Sequence, residues 1–273
     1  MSEPNYQTLK YSVKKRIASI TLDSPPANLI TRDMTLDYHN ALRRAGSDPE
    51  VRVIILSGAG RGLSGGVDLK YIKEFSAKDM EQFLKLFYIR TMEITRALSK
   101  PIIAAVHGYA REGACTLAFA CDMIIAADDS DFGYPGVPNL AAPPGMHVWF
   151  LQRLIGRMRA AELIFTGKVI SAKEAAEIGL ITKAVPAEIL IPETTKLAHK
   201  ISMMSPLAIK RTRELLYQME DLDFAEVPEK AVKALSAEFD SADSKEARKA
   251  YLEKRTPHWT CLLYTSPSPR DRG

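Results

Sequence analysis

The chain is poor in cysteine. Cys115, Cys121 and Cys261 are the three among 273 residues, and they form neither a CxxC pair nor an even framework. That excludes a disulfide-stapled scaffold and points to a reducing compartment, the cytoplasm. Histidine is also scarce, with five residues, and no His/Cys/carboxylate spacing marks a metal site, so no metal is expected. Long apolar runs are missing. Nothing approaches the ~20 residues of a membrane span, and the opening MSEPNYQTLKY carries no apolar signal segment. Charge of one sign does not accumulate either. Lys and Arg number 37 against 33 Asp and Glu, giving a formal +4 without a basic block, so neither nucleic acid nor a membrane is expected as a partner. What remains is 46% apolar and 26% charged, the composition of a globular chain long enough for one large domain or a domain with an appendage.

Residues 100–122, KPIIAAVHGYAREGACTLAFACD, organise the chain. An apolar run of buried-strand length (102–106) leads through a turn with Gly108, Arg111, Glu112 and Gly113 into a small-residue helix (114–120). Strand, glycine turn and helix in that order aim backbone N–H groups out of a helix N-terminus, a place that suits a bound anion or a reaction oxyanion. A second buried-strand run, residues 51–56 (VRVIIL), opens into SGAGRGLSGGVDLK with Gly58, Gly60, Gly62, Gly65 and Gly66. Two strands ending in donor-rich loops can aim one N–H each at a single oxygen.

These two segments resemble the paired motifs of the crotonase (enoyl-CoA hydratase/isomerase) superfamily. LSGGVDLK is similar to F-x-A-G-x-D-[LI]-K, and KPIIAAVHGYAREGA to KPxIAAVxGxAxGGG. Downstream, RMRAAELIFTGKVISAKEAAEIGLITKAVP and SADSKEARKAYLEKRTPHW resemble further family segments, so the likeness covers residues 5–259. It implies an α/β fold, a crotonase-like spiral of β-β-α repeats with a C-terminal helical trimerisation region. The expected organisation is a core over 1–195 with the coenzyme A and acyl site, a helical oligomerisation region over 196–259, and a non-native tail over 260–273. The resemblance also implies an acyl-CoA thioester substrate with coenzyme A entering as part of it, no bound cofactor, and a homotrimer or homohexamer. By position in the motifs, it implies an oxyanion hole from the N–H groups of Gly65 and Gly113. Ala27, Gly66, Asp68 and Lys70 are the expected coenzyme A contacts, with Asp68 expected to cap or brace its loop.

Ordinary elements fill the rest. Residues 6–15 and 16–22 read as a strand pair, Thr31 caps a helix to about residue 45, and residues 77–98 form an amphipathic helix. Gly136 to Met146 reads as a shaped proline-rich loop. Ser171 with Glu174 forms a capping-box pattern, closed by Gly179.

The chemistry departs from the family pattern. Its hydratases use two glutamates to handle water, and the motifs put Thr116 and Gly136 at those two positions. Three side chains are candidate replacements. Glu112 is a possible base, and as a non-glycine in a glycine position it is expected to carry strain. Tyr134 and His147 are the others, His147 because imidazole titrates near neutral pH. Thr116 can hydrogen-bond a substrate or water. The remaining histidines read as structural (His107) or superficial (His39, His199, His258). The expected function is an acyl-CoA enzyme stabilising a thioester enolate, with hydration, isomerisation, hydrolysis or decarboxylation open. The alternative is a catalytically silent acyl-CoA-binding or assembly protein.

Overall fold

The inner strands of the central sheet bury both faces. In the computed structural model, which describes residues 5–259, six strands pair in the order β1 (Leu9–Lys14), β2 (Ile17–Leu22), β3 (Val53–Gly58), β4 (Ile102–Val106), β6 (Met123–Ala127) and β9 (Lys183–Val185). β1 and β2 form the antiparallel pair read from sequence, and the later neighbours are parallel. Side chains alternate across the sheet. Ala18, Ile54, Ala104 and Ile124 enter the main core, while Ile17, Val53, Ile103 and Ile125 enter a second one. Covered on both faces, such strands read as near-continuous apolar runs. A second sheet holds β5 (Tyr109–Arg111), β7 (Asp131–Gly133) and β8 (Val169–Ser171).

The helix Leu190–Ser202 closes the second core through Leu190 and Ala198. The expected boundary after residue 195 therefore runs through a core helix, and the appended helical region starts at Pro206 instead. It comprises Pro206–Met219, Val227–Phe239 and Ala242–Leu252. Arg213 ties it to the core. This buried guanidinium meets Asp122 at 2.9 Å and donates to the carbonyls of Leu98 (2.5 Å) and Thr95 (2.8 Å). Asp122 also accepts from the Tyr217 hydroxyl and from the Ile102 N–H that starts β4.

Local signals place most helix ends. Thr31 Oγ1 accepts from Met34 N at the start of Arg32–Ser47. Buried Lys100 donates to the Ala45 and Asp48 carbonyls at the other end of that helix, where cations are favoured. Ser171 caps Ala172–Glu177, but the Glu174 carboxylate bonds Lys168. The helical stretch over 77–97 contains a π-helical turn, Lys85–Arg90, between two α-helical segments. The loop expected after Gly136 begins as a short helix, Gly136–Leu140. Residues 260–273, expected to be a tail, lie outside the described residues. Among the described residues no helix is long and apolar enough to cross a membrane, and no group of three His, Cys, Asp or Glu is placed to hold a metal.

Candidate active site

Backbone geometry builds the first part of the site. Gly113 is the first residue of the helix Gly113–Phe119, every residue of which is buried. A first-turn N–H has no partner inside its own helix, and that of Gly113 donates to nothing else among the described residues. The loop after β3 lies against it. A Cβ built on Gly66 would sit 2.9 Å from the Arg111 carbonyl oxygen and 3.1 Å from Glu112 Cβ. Gly66 also has φ +92°, so glycine is required twice over.

Gly65 does not supply the second donor. Its N–H is engaged by the Ala27 carbonyl at 2.8 Å. The free amide is two residues on. Gly66 O and Asp68 N both bond Ile30, at 2.8 and 3.1 Å, in a parallel bridge. That pairing turns the N–H of Val67 away from Ile30, and it has no acceptor among the described residues. Asn28 holds the loop in this register. Its buried amide donates to the carbonyls of Ala59 (2.9 Å), Gly62 (3.1 Å) and Leu63 (3.2 Å), while its Oδ1 accepts from Ser24 N (2.8 Å). Asp68 Oδ1 caps the Leu69–Ile72 helix, accepting from the N–H groups of Lys70 (2.9 Å) and Tyr71 (3.3 Å), and Lys70 is exposed.

Side chains build the second part. Glu112 has φ +44° and ψ −114°, a conformation glycine adopts freely and other residues reach at a cost of about 1–3 kcal/mol. Its backbone is clamped, donating to the Gly133 carbonyl and accepting from Cys115 N. The side chain turns inward. A Cβ built on Gly136 would lie 3.0 Å from Glu112 Oε1 and 3.5 Å from Oε2. Oε1 is buried without a hydrogen-bond partner among the described residues. Burial pushes the carboxyl pKa up, with the Gly136 N–H pulling it back down.

His147, fully buried at the start of His147–Ile155, brings Nε2 to 3.8 Å from Glu112 Oε2 and 3.5 Å from Thr116 Oγ1. Burial lowers its pKa to about 4. His147 is thus neutral near pH 7 and does not titrate there as the sequence implied. Tyr134 packs its ring 5.2 Å from the imidazole and is wholly buried, which holds its pKa well above the phenol range. It is no base. Tyr88, absent from the sequence candidates, reaches the same place from the π-helical turn. A Cβ on Gly145 would meet its hydroxyl at 2.6 Å, and its pKa is raised to about 12 by burial and by the nearby Glu112 charge. A single aromatic in an amphipathic helix gives no sequence signal for this. Cys115 is a packing residue, its thiol pushed up to about 12 by burial.

The arrangement offers two unengaged N–H groups on touching loops and one inward carboxylate among neutral polar groups. A match to the family model described as "Enoyl-CoA hydratase/isomerase" spans residues 12–261. A crotonyl-CoA hydratase of Syntrophomonas wolfei is 32% identical over 253 residues, covering 92% of this chain and 96% of that protein. The crystal structure of an enoyl-CoA hydratase from Bacillus anthracis superposes with a TM-score of 0.88 at 31% identity, covering 93% and 99% of the two chains. One from Geobacillus kaustophilus gives 0.87 at 32% identity, covering 93% and 98%.

Proposed function

The chain belongs to the enoyl-CoA hydratase/isomerase family, and from that premise we propose that it binds an acyl-CoA thioester and stabilises its enolate between the N–H groups of Val67 and Gly113. One observation carries the reading: these two amides lie on touching loops and have no acceptor among the described residues, whereas that of Gly65 has one. Donors already in place for a developing negative charge need no reorganisation, and each is worth about 3 kcal/mol of transition-state stabilisation. The nucleotide end of the substrate follows the strap of Ala27 and the Gly66–Asp68–Lys70 segment, with exposed Lys70 meeting phosphate and Asp68 fixing the turn. Thr116 and Gly136 leave no pair of carboxylates for water. Proton relocation along the acyl chain therefore fits the site better than two-carboxylate hydration.

The test is mass spectrometry of crotonyl-CoA and trans-3-hexenoyl-CoA incubated with the protein in D₂O. Deuterium or water entering the acyl chain is the expected result. Gly113→Ala is expected to lower kcat by up to about 10²–10³-fold, because its Cβ would crowd two fully buried side chains, Ile30 at 2.7 Å and the Phe87 ring at 3.2 Å, and a backbone shift that relieves them moves the amide. Thioesters that bind and return unchanged point instead to a silent acyl-CoA-binding protein.

A further inference from the structure

We infer that Glu112 is the catalytic carboxylate of this chain, delivered from the β5 turn into the space a side chain at position 136 would occupy. The inference rests on the acyl-CoA reading above and adds the group that moves the proton.

Three independent features converge on it. First, position: the carboxylate lies 3.0–3.5 Å from where a Gly136 Cβ would stand, so Gly136 is the vacancy that Glu112 fills. Second, an unspent acceptor: Oε1 is buried with no hydrogen-bond partner among the described residues, which a merely structural carboxylate would not tolerate. Third, strain: the residue holds φ +44° next to Gly113, in a turn where glycine would cost nothing. Burial that lowers the His147 pKa to about 4 makes its ring a weak base, and the hydroxyls of Thr116, Tyr134 and Tyr88 are poor bases. Glu112 is thus the group with the basicity to accept a carbon-bound proton.

The step balances without a co-reactant. The C2–H bond of a 3-enoyl thioester breaks and its proton passes to the Glu112 carboxylate. The electron pair moves through C1 onto the thioester oxygen, held by the two amides. The carboxyl then returns the proton to C4, and the double bond settles between C2 and C3. Return to C2 gives exchange alone.

The test uses the full chain as wild type, Glu112→Gly, Glu112→Gln and the double variant Glu112→Gly/Gly136→Glu. Trans-3-hexenoyl-CoA in D₂O is the probe, read as 2-enoyl absorbance and deuterium at C2. Removing the carboxylate is expected to slow both readouts by about 100-fold or more, with thioester binding retained. Glu112→Gly is expected to melt no lower than wild type, because it relieves the strained backbone. The double variant returns a carboxylate to the same space, since Gly136 lies outside the left-handed region, and is expected to recover much of the lost rate. A Glu112→Gly protein with undiminished rate overturns the inference, as does a double variant that folds and binds yet stays as slow as the single. Wild type that binds the thioester without any exchange overturns the role of Glu112 and leaves acyl-CoA binding standing. Failure to bind any thioester overturns both readings.

Discussion

His39 joins the helix Arg32–Ser47 to the helix Thr91–Ala97, with Nε2 2.8 Å from Thr91 Oγ1 and Nδ1 buried without a partner among the described residues. It is fully buried, not superficial as its helix position implied. Burial first, then the charges of Arg43 and Arg90, lower its pKa from 6.5 to about 4. The sign follows from linkage. Between those values the unfolded chain binds a proton that the folded chain refuses, so stability is full above pH 6.5 and falls as pH drops towards 4, by up to about 3 kcal/mol. His147 adds a loss of the same sign in the same window, whereas the raised pKa of Glu112 opposes it. Urea denaturation at pH 7 and pH 5 is expected to show a smaller pH difference for His39→Gln than for wild type. An equal difference in both proteins removes His39 from this role.

At the scale of elements, the strength of the join between core and C-terminal helices lies in Arg213. Removing it leaves the Asp122 carboxylate without its ion pair and three carbonyl contacts unmade, two of them buried. Arg213→Ala is expected to cost about 3–5 kcal/mol in denaturant unfolding, with the amides of Pro206–Met219 losing hydrogen-exchange protection first. Unchanged protection there would mean the helix is held by other contacts. Elements whose causes are local were legible in the sequence. Thr31 and Asp68 cap as read, and the apolar runs became β3 and β4. The donor register was not legible. Whether Gly65 or Val67 keeps a free N–H depends on the carbonyl of Ala27 and the bridge to Ile30, more than thirty residues away in the chain. The π-helical turn that aims Tyr88 inward, and the depth of His39 and His147, are likewise set by packing between distant segments.

For the molecule as a whole, the C-terminal helices leave apolar side chains in water. Phe224 and Leu235 are 84% and 74% exposed, with Val232 and Phe239 nearby in sequence. Exposed apolar surface of this kind suits an association surface, in keeping with the homotrimer or homohexamer that the motif resemblance implies. Leu235→Glu combined with Phe239→Glu is expected to shift sedimentation towards the monomer without loss of helical content. A wild type that sediments as a monomer removes the oligomer from the proposal. Deleting residues 260–273 is expected to leave the melting temperature and thioester turnover unchanged.

The meeting of Glu112 with the space beside Gly136 also bears on how kinship in chemistry is judged. By the motif resemblance alone this chain would be set down as inert, with Thr116 and Gly136 at the positions expected to hold the two glutamates. Compared by occupied space, it carries a carboxylate in the second of them, rooted one loop away. A catalytic inventory drawn from aligned letters therefore undercounts chains like this one. What the inferred chemistry needs is a charge at a point, and a stem rooted in the β5 turn can carry it there.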